Sequence, residues 1–189
     1  MKKIFLGLLG LMIGLLLVST SFAHSLWDVH WAPGEYIPEM NENLVIELSE
    51  LKDEVLQMSE GTPASRFIDT YEHQYEMQKS LGSSAEVYEQ YYDDIGKYAL
   101  YFGLPNDQVI TQDQAWLIAY QALIEQGVVC KDELLHYLPQ CLYVVYDPDH
   151  PAWYFDFMSW DEPTRPVIAV GVYAEDGSIF GIKHLQSVG

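Results

Sequence analysis

Apolar residues recur at helical spacing from Asn41 onward. Leu44, Leu48, Leu51, Val55 and Met58 fall at steps of three and four, so one face of a helix is apolar. Asn41 is placed to cap its start and Gly61 to end it. A second helix is expected from Thr62, with Pro63 in the first turn where its missing N–H costs nothing, and Phe67, Ile68, Tyr71, Tyr75 and Leu81 on one face before Gly82. A third is expected behind a Ser83–Glu86 capping box, with Ser84, Tyr88, Tyr91, Ile95, Tyr98 and Phe102 aligned and Gly103, Leu104 and Pro105 as its stop. A fourth runs from Thr111 to Gln126. Thr111 and Gln114 form another capping box, Ala115, Ile118, Ala119, Ala122 and Leu123 make a broad apolar face, and Gly127 ends it. Lys131 to Tyr137 adds a short helical turn before Pro139.

The period then changes to that of strands. Cys141 to Tyr146 is β-branched and aromatic, and the turn cluster Asp147-Pro148-Asp149-His150-Pro151 cannot continue it. Ala152 to Trp160 alternates, with Trp153, Phe155 and Phe157 on the core side and Asp156 opposite. After the polar loop Asp161 to Pro166, Val167–Ala174 and Ser178–Leu185 are joined through Asp176-Gly177, a hairpin signal. Short connections require antiparallel pairing. The expected fold class is α+β, an N-terminal helical segment followed by a helix packed on a four-stranded antiparallel sheet. Leu142, Val144 and Tyr154 leave the second sheet face apolar, which the helical segment is placed to cover. The expected boundary lies at Gly103–Asp107. It divides the chain into 1–23, a signal peptide; 24–103, an arm and an acidic helical segment; and 104–189, the helix-on-sheet domain. The arm His24–Met40, with Trp27, Trp31, Pro33, Gly34 and Pro38, has no period and is ordered where its tryptophans dock.

Residues 1–23 combine Lys2 and Lys3, an apolar run from Ile4 to Val18 and the small-residue exit Ser21-Phe22-Ala23, the parts of a secretory signal. The run is short for a bilayer span, which takes about 20 apolar residues, so cleavage and a secreted protein without stable membrane insertion are expected, with a retained envelope anchor as the alternative. The chain has 28 acidic against 9 basic residues and a formal charge of −19, and cleavage removes two of the lysines. Such an excess repels nucleic acid and anionic surfaces and admits basic proteins or divalent cations. In an oxidising compartment Cys130 and Cys141 are a candidate disulfide; two buried free thiols are the other reading.

Ile110-Thr111-Gln112-Asp113-Gln114-Ala115 opens a helix, with Ala119 and Ala122-Leu123-Ile124 along it. Pro151-Ala152-Trp153-Tyr154-Phe155-Asp156-Phe157 follows, then the closing hairpin Val170 to Ser178 with Asp176-Gly177. By these residues the carboxyl-terminal region resembles the PepSY-like family of exported bacterial domains. The likeness covers about residues 104–185. It implies a non-enzymatic regulatory or inhibitory module whose partner is another extracellular protein, such as a peptidase. It supplies no catalytic residue and no cofactor.

The residues alone offer weak chemistry. There is no G-x-S-x-G and no H-E-x-x-H. His136 lies near both cysteines in sequence, which raises a Cys–His pair that a disulfide would consume. Adjacent acids (Asp93-Asp94, Asp147 with Asp149, Asp161-Glu162, Glu175-Asp176) suit turns and surface as well as catalysis. Glu72, His73 and Glu76 share a helical face, Asp147-x-Asp149 lacks the remainder of a calcium loop, and His24 is a chelator only as a new amino terminus. No catalytic, cofactor or metal residue is therefore assigned. Tyr88, Tyr91, Tyr92, Tyr98 and Tyr101 read as a core stripe before they read as a ligand platform, as do Trp153 and Phe157. The alternative function is an acidic cation-binding or envelope-associated structural protein.

Overall fold

The computed structural model describes residues 29–68, 70–80, 89–93, 96–146 and 150–185. The expected signal peptide, Trp27, the Ser83–Glu86 box and the Asp147–Asp149 pair lie outside these residues. In chain order the elements begin with β1 (Val29–His30), α1 (Glu42–Ser59), a 3-10 turn (Pro63–Phe67), α2 (Tyr71–Ser80), β2 (Glu89–Asp93) and β3 (Gly96–Phe102). They continue with α3 (Gln112–Glu125), α4 (Lys131–Leu134), β4 (Tyr137–Tyr146), β5 (His150–Ser159), β6 (Val167–Tyr173) and β7 (Ile179–Leu185). The strands form one antiparallel sheet in the order β1-β7-β6-β5-β4-β3-β2. The expected four-stranded meander is its β4–β7 part, and no described helix is long and apolar enough to cross a membrane.

Local signals set the helix ends. The Asn41 side chain accepts the Leu44 N–H at 3.0 Å. In α3 the Thr111 hydroxyl accepts the Gln114 N–H (3.2 Å), while the Gln114 side chain accepts the Thr111 N–H (2.9 Å), so two orphan donors are satisfied reciprocally. Gly127, at φ +65°, ends the helix in a conformation an L side chain resists. The second expected helix is broken in two. Thr62 Oγ1 donates to the Ser59 carbonyl (2.6 Å) and Ser65 Oγ to the Thr62 carbonyl (2.8 Å). These side-chain bonds compete with the helical ladder and leave a 3-10 turn; α2 restarts after Thr70, whose carbonyl accepts the Gln74 N–H at 3.1 Å.

The third expected helix is instead a hairpin. Residues 89–93 pair with 96–102, and Tyr91 stands opposite Tyr98. Aromatic side chains lose rotamer freedom in a helix and fit a pleated surface, and Gly96 would weaken a helix interior. The spacing that reads as helical is overruled by residue type. β4 also begins earlier than the strand pattern implies, at Tyr137. It tolerates Pro139 because β3 pairs only with Val144, Val145 and Tyr146, so among the described residues no strand lies beside 137–143 on that side. α1, the 3-10 turn and α2 contact β4.

A single core joins both halves of the chain. Leu48 and Leu51 of α1 cluster with Ala115, Ala119, Tyr120, Ala122 and Leu123 of α3 and with Trp153, Phe155, Phe157, Ile168, Val170 and Ile182 of the sheet. Trp153 is 1% exposed and Phe157 is fully buried, as their core reading requires. Each such side chain contributes about 1.5–3 kcal/mol by leaving water. Of the helical segment expected to cover the second sheet face, α1 instead shares the core of α3. The Gly103–Asp107 boundary therefore falls between two strands of one sheet.

On that second face β5 places Asp156, opposite Gln140 and Ala169. Its Oδ1 is buried with no hydrogen-bond partner among the described residues, and desolvation pushes the carboxyl up to about 6 from the usual 3.8. The folded carboxyl thus keeps its proton where the unfolded chain has released it, and stability falls as pH rises from about 4 to about 6. Asp156→Asn should stabilise the fold at pH 7 by no more than about 3 kcal/mol and by little at pH 4, measured as the difference between the two proteins in urea unfolding. Thr111→Ala should cost about 1 kcal/mol in the same assay.

Candidate functional site: a cleft at the amino end of α3

Residues 103–111 cross from β3 to α3 and are sewn to the sheet at Ile110. The Ile110 N–H donates to the Ala174 carbonyl (2.8 Å) and its carbonyl accepts the indole N–H of Trp153 (2.8 Å). Trp153 is held on its other sides by Tyr143, with ring centroids 4.9 Å apart, and by Tyr71 of α2, edge-on at 5.3 Å. Between α2, this crossing and α3 lies an open cleft of about 310 Å³. Tyr71, Trp153, Val109, Ile110 and Pro105 give it an apolar floor and wall, while Asn106, Thr111, Gln112 and Asp113 give it a polar rim.

Asp113 is the one carboxyl in that lining, and it sits in the first turn of α3, where a negative charge is favoured. Lys52 of α1 holds it at 2.6 Å and stacks over the Trp116 ring, 5.2 Å from its centroid. The acid is thus engaged in a pairing that also ties α1 to α3. The cleft offers the half-buried Tyr71 ring, an apolar wall and hydrogen-bonding edges, without a lined nucleophile–base pair.

The residues singled out in the sequence are scattered. Cys130 and Cys141, the candidate disulfide, are not bonded to each other in this structure: the first is exposed and the second buried. Cys130 is exposed and turned into its own helix: its N–H donates to Glu133 Oε2 (2.9 Å), a bond that holds the Glu133 carboxyl below its usual range. Cys141 packs in the core beside Tyr143 on the inward face of β4, where burial pushes its thiol up to about 12 against a small opposing contribution from Gln112. The Cys–His pair does not form either. His136 Nδ1 lies 2.6 Å from Asp161 Oδ2, and Ser159 Oγ donates to Asp161 Oδ1 at 2.8 Å. Desolvation would raise Asp161, but these two bonds keep it low. Serine, aspartate and histidine are adjacent, yet the serine hydroxyl bonds the acid, so the group lacks a nucleophile–base contact. It fastens the 160–166 loop, together with Trp160, whose N–H donates to the His136 carbonyl and whose indole donates to that of Leu135.

The carboxylate pairs do local work. Glu162 accepts from Arg165 (2.9 Å), and Asp176 accepts the N–H and hydroxyl of Ser178 in the β6–β7 turn. Glu76 pairs with Lys79, and no cluster of three metal-ligating side chains occurs among the described residues. Tyr91, Tyr92, Tyr98 and Tyr101 lie on β2 and β3; Tyr88, His24, Asp94, Asp147 and Asp149 lie outside the described residues. The cleft itself was not legible in the sequence. Its one advance signal is a strongly apolar strand carrying an indole N–H, which must find an acceptor when buried.

Native protein treated with a thiol-alkylating reagent should be modified at Cys130 alone, with Cys141 reacting only in denaturant, and no reductant should be needed for either; intact mass reads all three outcomes. No protein-family model matches the chain, and no curated protein or solved structure matches it.

Proposed function

We propose that this protein is an exported, non-enzymatic binding module that grips a segment of another extracellular protein in the cleft beside α3. The observation that carries the reading is the cleft's make-up: a Trp153–Tyr71 floor, a rim of amide and hydroxyl groups, and a single carboxyl already engaged by Lys52. Such a site holds a side chain by burial and orients it by a few polar contacts. The acidic surface adds steering toward a basic partner. The resemblance to PepSY-like domains supports a peptidase as the partner and restraint of its activity as the outcome. The helix-on-meander order of α3 and β4–β7 is consistent with it.

The test uses the protein without its leader, incubated with the secreted fraction of the producing cell. It should retain a defined protein and lower peptidase activity in that fraction. Val109→Trp, which fills the cleft from a half-buried loop position, should weaken retention at least about tenfold without loss of the fold, as read by circular dichroism. Retention of nothing, unchanged peptidase activity, or full retention by the filled variant would each defeat the proposal.

A further inference from the structure

The outer edge of β7 is occupied by the chain's own amino-terminal arm. Val29 and His30 pair with Ile182 and Gly181, the Trp31 N–H donates to the Phe180 carbonyl (3.2 Å), and the Ile179 N–H donates to the Tyr36 carbonyl (2.8 Å). Between these points the arm leaves the edge in a turn through Gly34, at φ +74°, whose N–H donates to Ser178 Oγ. Trp31 and Tyr36 pack on each other, centroids 4.8 Å apart, against the core, and the Tyr36 hydroxyl donates to Glu125 at 2.6 Å. The ladder covers two residues of a seven-residue strand among those described.

We infer that this arm is a displaceable strap, and that the β7 edge it covers docks an extended basic segment of a partner protein by strand addition. The arm itself displays the ligand geometry: antiparallel backbone pairing with an aromatic side chain where Trp31 sits. Its own charge opposes that place. Glu35 and Glu39 lie in the arm, and the exposed Glu125 and Asp176 lie near its anchor points at Tyr36 and Gly34. A segment with lysines in place of those acids keeps the ladder and the aromatic anchor and exchanges repulsion for attraction. The same charge disfavours a second copy of this acidic chain as the occupant. The edge lies by the carboxyl end of α3, whereas the cleft lies at the amino end, so this docking place does not depend on the proposed use of the cleft.

The probe is a labelled synthetic peptide with the sequence of residues 28–37 carrying Asp28→Lys and Glu35→Lys, titrated into the protein without its leader. Trp31→Ala in the protein loosens the strap and should tighten peptide binding about tenfold, since less competing population remains. Amide exchange at Ile179 and Ile182 should accelerate in that variant and be suppressed again by the peptide. Salt should weaken binding, and a peptide of unaltered sequence should bind more weakly. If Trp31→Ala does not fold, Tyr36→Phe, which removes only the hydroxyl with its bonds to Glu125 and Gln126, should shift binding in the same direction by a smaller factor. Val109→Trp should leave peptide binding unchanged, which separates failure here from failure at the cleft. The inference is overturned if the peptide does not bind the loosened protein, if both proteins bind it equally, or if the arm is found exchanged between copies in a dimer.

Discussion

The structure turns on the burial of one indole. Trp153 lies at the centre of the helix-covered sheet face, and its N–H cannot be left unpaired there without a penalty of about 1–3 kcal/mol. It is satisfied by the carbonyl of Ile110, whose own N–H is spent on Ala174. Those two bonds fix the crossing from β3 to α3, and with it the start of the helix that Thr111 caps. Tyr71 and Tyr143 close around the same ring, so α2 and β4 are positioned by it as well. The cleft is the space this arrangement leaves open.

What the sequence revealed and what it hid follow from range. The Asn41 and Thr111 caps and the Asp176-Gly177 turn act within a few residues, and each is found where the residue pattern places it. The mistaken third helix has a physical cause: Tyr91, Ile95, Tyr98 and Phe102 happen to share a helical spacing, while the preference of tyrosine for a pleated surface and pairing with β4 decide the outcome. Leu48 and Leu51 were recognisable as buried, but not the face of the sheet they would join. Cys130 and Cys141 are not bonded to each other in this structure. Sequence proximity of Cys130 and Cys141 does not reveal that one begins a helix at the surface and the other points into the core. The cleft depends on a bond between residues 43 apart in the chain, and nothing local announces it.

Charge shapes the molecule in two opposed ways. A surplus of acids keeps the surface hydrated and mutually repelling, which opposes compaction while discouraging association with like-charged surfaces. The few cations are placed where they bind elements together: Lys52 joins α1 to Asp113 of α3, Lys131 at the start of α4 reaches Glu47 of α1, and Arg165 closes its own loop on Glu162. Exposed pairs of this kind contribute little each, about 0–1 kcal/mol, but the first two join the helical segment to the sheet-bearing half.

The sheet's two ends have different histories in folding. β4 to β7 are sequential neighbours and can zip together over short loops, whereas the bond from Gly34 to Ser178 spans 144 positions. Loop-closure entropy makes so distant a contact slow to form. A chain that emerges amino end first therefore makes the edge strand β1 early and must keep it waiting until the β6–β7 hairpin has been made.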